Sequence, residues 1–523
     1  MMFARFIFIL AFILATGRYT LAGGHQELGK VEFANSCAER VQPQLQRAVA
    51  LLHSFWWEKA EAGFREVLDQ DPSCTIAVWG IATVKIGNPF SSGPSPADAQ
   101  TSADVFAIRT QFAAKTEREG DYLKAVGAYY DLYPGKPHRV RLRALSDAFE
   151  ALAAKYRDDD EAQIFLGLYL AATQPPFDKS LDRAKQAILI LNEQFAKHPD
   201  HPGVAHYLIH ANDFPALAEH GLYAATCYSN IAPTSPHALH MPSHIFTRVG
   251  LWQQSAEANQ RSRDAAKLAG IITEQLHAYD YWVYADLQLA RDSEARQIVV
   301  LGSQLSEKNR AADYARAAIP ARFAVERGQW KEAAQLPEPD RSEYPYTSAI
   351  RYFARALGAA RSGDPGAAER EVSHLRDARD AMAAAQDDYW AAEIAVQELA
   401  AQAWIAQAHG DHDGALELMR AAANKEDLSE KSSISPGRLL PARELLGDML
   451  LEDRHPAEAL KAYEASEKRD PKRFRTSWGA AQAAAASGNT ETAKLYYTML
   501  LGMAGSGDSR PELVAARAWL STH

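Results

Sequence analysis

Nine of the 17 histidines in this 523-residue chain lie between His198 and His277, and five of them stand in two short strings. The first is His206-Tyr-Leu-Ile-His210; the second is His237-Ala-Leu-His240-Met-Pro-Ser-His244. Spacings of three and four place side chains on one face of a helix with Cβ atoms about 5–6 Å apart, close enough to chelate one ion. Imidazole suits zinc, copper, iron and nickel, and three imidazoles beside an open position are the donor set of a catalytic metal site. The cofactor these strings predict is a divalent transition metal, zinc, copper or iron. With five or six imidazoles, two ions are also possible. The helical metalloprotease motif is excluded, because the residue after His206 is Tyr207 where that chemistry needs a glutamate as general base.

The strings stand 34 residues apart, His206 against His240 and His210 against His244. A second feature of that length is Gly447, Ala459, Tyr463 and Pro471. These fall where the 34-residue tetratricopeptide consensus has small residues, an aromatic and a proline, so the chain resembles that repeat. Ala60, Phe64 and Pro72 fit the same frame, as do Gly488, Ala493 and Tyr497. The resemblance implies that His237, His240, His244 and Arg248 face the concave groove from the first helix of their repeat. Allowing an insertion in the next repeat, His277, Asp280 and Tyr284 take the equivalent positions, and Arg322 follows one repeat later. In this reading the six histidines are metal ligands. Asp280 or Tyr284 orients groups or transfers protons, and Arg248 or Arg322 holds an anionic substrate. Two other readings stay open: a histidine-lined pocket for a small molecule or peptide, as in a non-catalytic adaptor, and a surface histidine set left by duplication of one repeat.

The elements needed to position these residues are helices. Ala, Leu, Glu, Gln and Arg dominate and strand patterns are nearly absent. The expected fold class is therefore all-α, a solenoid of helical hairpins whose concave side binds partners. Pro/Ser/Gly-rich sequence at Asn88–Pro96 and three prolines between Gln335 and Tyr346 mark breaks. They divide the chain into 1–22, a signal segment; 23–96, N-terminal hairpins; 97–341, the histidine-bearing array; and 342–523, a C-terminal array.

Composition limits the partners. The chain is 47% hydrophobic, with 10 Trp, 21 Tyr and 19 Phe, enough for a large core. Its formal charge is −10, and the first 22 residues hold two Arg and no acid, so their removal leaves −12. An acidic surface repels phosphate backbones and anionic lipid, which argues against nucleic acid. One Arg, an apolar run from Phe6 to Ala15 and Thr20-Leu21-Ala22 read as a secretory signal, and the product is expected in the periplasm or outside the cell with no membrane span after cleavage. Export permits a Cys37–Cys74 disulfide across the first hairpin; two buried thiols are the alternative. Cys227, among apolar helix residues, is expected in the core.

Three further groups have structural readings. His53, Phe55, Trp56 and Trp57 at the first pivot read as core aromatics that could instead line a groove. Gly80 admits close packing beside Trp79. Glu444 and Asp448 read as a solvated acidic face. With Asp71-Pro-Ser-Cys74 and Pro441-Ala-Arg-Glu-Leu-Leu-Gly447, the two histidine strings make the chain similar to a group of exported bacterial tetratricopeptide proteins. That resemblance covers most of the chain and implies a fold and site residues without a reaction.

Overall fold

A helix of three or four turns is marginal alone in water, and each one here is stabilised by burying an apolar face against the next. A computed structural model describes residues 27–107, 113–339 and 342–523; the expected signal segment lies outside the described residues. Within them there are helices and no strand, as the composition predicts. Gln42–His53 packs on Trp57–Gln70, Ile272–Gln288 on Asp292–Ser303, and Ala442–Glu452 on Pro456–Arg469. The small residue of the repeat pattern has a visible reason. A Cβ on Gly447 would stand 2.7 Å from the Tyr463 ring, and one on Gly479 2.2 Å, so the ring wedges between two helices only because both positions are bare.

First helices of successive hairpins also touch, and the small rotation between hairpins accumulates until the rows meet themselves. Gln42–His53 meets Pro202–Ala211, and Ile272–Gln288 meets Phe474–Ala486. The expected concave face thereby turns inward and keeps a cavity of about 740 Å³. Its C-terminal part holds buried ion pairs: Arg473 bonds Glu444 at 3.0 Å and Glu326 at 2.8 Å. Glu444 is 0% exposed and also takes Arg475 and Thr476, while Asp448 pairs with Arg475. These two carboxylates are thus ion-pair partners, Glu444 buried and Asp448 half-buried, instead of a solvated face, because the next hairpin brings Arg473 and Arg475 against them.

The apolar core is continuous across the expected breaks at 96 and 341. Ile86 and Phe106 share one cluster with residues from Leu28 to Phe246; Leu336 and Tyr346 share another with residues up to Ala516. Among the described residues no helix is long and apolar enough to cross a membrane.

Cys37 and Cys74 are bonded, with Cα atoms 4.8 Å apart, fastening the segment before the first hairpin to the start of Thr75–Ile86. The bridge closes 37 residues, for which chain entropy gives about 3–4 kcal/mol. Cys37→Ser with Cys74→Ser is expected to destabilise the N-terminal hairpins by that amount, read as a lower denaturant midpoint than that of the oxidised protein. Cys227 is half-buried, next to the exposed Tyr223 on the outer side of Leu222–Ile231, and so is not a core residue.

Candidate metal centre

Two N1 prolines start the helices that carry the histidine strings. Pro202 opens Pro202–Ala211, capped by the His201 ring, and Pro236 opens Pro236–His240, capped by the Ser235 hydroxyl. Pro242, which has no N–H to give, starts a new segment, Pro242–Arg248, after Met241. His237 and His240 thus stand before this interruption and His244 after it. Gly203 lets the helix approach the first hairpin, since a Cβ there would stand 2.3 Å from Nδ1 of His53.

All six predicted histidines come together. His206, His210 and His237 form one triad and His240, His244 and His277 a second; within each, one nitrogen per ring lies within 4.8 Å of the others. The two triads adjoin, with the His210 and His244 rings 5.6 Å apart and the His237 and His240 rings 6.0 Å apart. Phe90 stacks on His210 at 3.8 Å, and Phe55 lies against His206 at 4.4 Å.

The hydrogen bonds fix which nitrogens carry protons. His206 Nδ1 donates to the His53 carbonyl at 2.7 Å, His240 Nδ1 to Asn259 Oδ1 at 2.7 Å, and His244 Nδ1 to Asp213 Oδ2 at 2.9 Å. Asn259 uses its amide nitrogen on the Ser255 carbonyl, so its oxygen faces His240. Burial first, then the charge of neighbouring imidazoles, holds His206, His210 and His240 well below the ordinary histidine range. Burial lowers His244 to about 4, against the pull of Asp213, and His277 to about 3, against that of Glu274. These five are neutral at pH 7, the state a metal ligand requires.

Neutral rings with protonated Nδ1 present bare Nε2 lone pairs. His240 and His244 set theirs 3.1 Å apart; His206 Nε2 lies 3.2 Å from Nε2 of His237, whose Nδ1 engages no acceptor, so that His237 Nε2–H can donate to it. Lone pairs facing each other in a dry interior repel unless a cation lies between them. Two nitrogens about 2.0–2.1 Å from one tetrahedral ion stand about 3.3 Å apart. His210 Nε2 and His237 Nδ1 have no hydrogen-bond partner although buried. Each oxygen acceptor behind a ring is the support that orients a metal-bound imidazole.

His210, His237, His244 and His277 line a cavity of about 740 Å³. A third group, His53, Glu161 and His201, lies apart from it: Glu161 accepts from His53 Nε2 at 3.0 Å and His201 Nε2 at 3.1 Å. With both carboxylate oxygens engaged by imidazoles, it braces the His53 backbone that holds His206. The first-pivot aromatics divide, with Phe55 and Trp56 buried and Trp57 on the cavity wall.

The other predicted site residues lie elsewhere. Asp280 bonds Arg322 at 2.7 Å in a bridge where neither side chain is more than 1% exposed. Arg322 also donates to Ser435 Oγ and the Gly437 carbonyl. Tyr284 bonds Arg473 and packs against Gly437. The residue that shares the imidazole face is Tyr281, four beyond His277, its hydroxyl 3.4 Å from His244 Nε2 and donating toward the Ser433 and Ser435 carbonyls. Arg248 does not face the cavity but holds Asp213 at 2.8 Å.

No family model matches the chain, and no curated protein matches it. Among solved structures it is similar to the crystal structure of the yeast Tom70, with 12% identity, a TM-score of 0.31, and coverage of 92% of this chain and 96% of that one. The fold and the site define an all-helical hairpin protein with a six-imidazole cluster, five of the rings buried and His277 half-buried.

Asn259→Ala removes the acceptor that fixes the His240 tautomer. For a metal held by the cluster, affinity would fall about 10–100-fold, measured by titration against a chromophoric chelator.

Proposed function

We propose that this chain is an exported metal-binding protein whose six imidazoles hold two transition-metal ions, three nitrogens to each, beside a substrate cavity. This is the arrangement of a metal-dependent hydrolase or a copper or iron oxidoreductase. The observation that carries the reading is the pair of bare nitrogens of His240 and His244 facing each other at 3.1 Å, each with its other nitrogen committed to an oxygen. Bound zinc would bring the pKa of a coordinated water to about 7, and copper or iron would add electron exchange.

The chain's own groups have distinct parts in this reading. His53, Asn259 and Asp213 orient the rings, Phe55 and Phe90 cover their sides, and Tyr281 closes the second triad against the Ser433–Ser435 backbone. The Cys37–Cys74 bond supports an oxidising destination, in keeping with the N-terminal signal pattern.

Elemental analysis of the purified mature protein and of His240→Ala tests the proposal. Two ions per chain, falling to about one in the variant, are expected. A content well below one that the substitution leaves unaltered would sink it, and partner capture insensitive to chelator would then favour a peptide-binding adaptor.

A further inference from the structure

The cavity wall that carries His210, His237, His244 and His277 also carries Lys431. Lys431 arrives from the segment between His412–Glu426 and Ala442–Glu452, far along the chain from the imidazoles it adjoins. Its side chain is 3% exposed, and its hydrogen bond goes to Asp213 Oδ2 at 3.0 Å. Asp213 is already shared, with Arg248 on its other oxygen and the His244 Nδ1 proton on the same one. The neighbouring carboxylate, Glu430, is taken by Lys179 at 2.6 Å. An ammonium has three donors, so beyond the one given to Asp213 Lys431 keeps positive charge and further N–H groups to offer.

We propose that Lys431 and the metal centre form a site for the oxyanion group of a small molecule, one oxygen on an ion held by the imidazoles and another on the Lys431 ammonium. The inference rests on the metal-centre reading and adds the class of ligand. Trp57, Phe90, Tyr346 and Trp390 line the same cavity. A carboxylate on a flat apolar body would therefore fit better than a compact inorganic anion, because aromatic walls reward buried apolar area. A buried ammonium meeting an oxyanion makes a charge-assisted bond, stronger than one between neutral groups.

The test uses the full chain loaded with cobalt(II), whose visible absorption reports a change of ligands. Benzoate and inorganic phosphate are titrated separately into the native protein, Lys431→Gln and Lys431→Arg, with cobalt content measured in each. Benzoate is expected to change the spectrum and to bind more tightly than phosphate. Lys431→Gln is expected to weaken benzoate at least 10-fold at unchanged cobalt content, and Lys431→Arg to restore most of the loss. Equal affinity in the native protein and Lys431→Gln would overturn the proposal. Loss of cobalt itself in Lys431→Gln would overturn it too, by showing that the lysine serves only to hold Asp213. If phosphate binds as tightly as benzoate, the aromatic-carboxylate preference falls. A native protein that takes up no cobalt, zinc or copper would bring down the metal-centre reading, and this inference with it.

Discussion

Replacing His244 with alanine is expected to remove one of the two proposed metal ions and to abolish the stabilisation that this ion would give the fold. His244 supplies a bare Nε2 to the second triad and uses Nδ1 to engage Asp213, which in turn holds Arg248 and Lys431. Alanine leaves His240 and His277 with two imidazoles between them, too few for a closed site. A ligand that binds only the folded state at 1,000 times its Kd stabilises it by about 4 kcal/mol. Thermal unfolding with and without added zinc should show that increment for the second site in the native chain and not in the variant. His244→Ala also leaves Asp213 without one of its donors, so part of the loss is expected even in metal-free protein. The difference between the metal-loaded and metal-free curves separates the two effects.

The second large effect lies away from the imidazoles. Arg473 is 0% exposed and joins Glu326, Glu444 and Tyr284, holding the last hairpins against Ile272–Gln288. Arg473→Met leaves Glu326 and Glu444 buried without that partner, although Arg475 still reaches Glu444. Removing one member of a buried ion pair costs about 3–5 kcal/mol. Hydrogen exchange should show opening of Phe474–Ala486 at that lower free energy while Pro202–Ala211 keeps its protection. A variant as stable as the native chain would mean that the ring is closed by its apolar contacts alone.

The local part of this architecture was legible in the sequence, since helix period and repeat length are properties of short segments. Spacings of three and four placed five histidines on shared faces, and His277 was found by extending the repeat. The error came one step later. Extending the register to the equivalent positions on the next helix chose Asp280 and Tyr284, whereas the helix turns those two toward Arg322 and Arg473. Tyr281 carries the same spacing from His277 that His244 has from His240, and that spacing was the signal that could have found it. Asp213 follows His210 by three and was visible on the same grounds.

Other partners leave no local trace. Lys431 meets Asp213 across 218 residues, Glu161 meets His53 across 108, and Arg473 meets Tyr284 across 189. Such meetings follow from ring closure, the sum of many small rotations between hairpins, which no single repeat encodes. The same closure turned the expected open groove inward, while the carboxylates expected in solvent pair with Arg473 and Arg475 of the next hairpin.

The most direct test of the central claim is anomalous diffraction from crystals of the metal-loaded protein, recorded on both sides of the absorption edge. Two peaks are expected, one about 2.0–2.1 Å from Nε2 of both His206 and His237, the other at the same distance from Nε2 of both His240 and His244. Absence of both peaks from a protein soaked in zinc or copper, or peaks only on exposed histidines such as His409 and His412, would contradict the account.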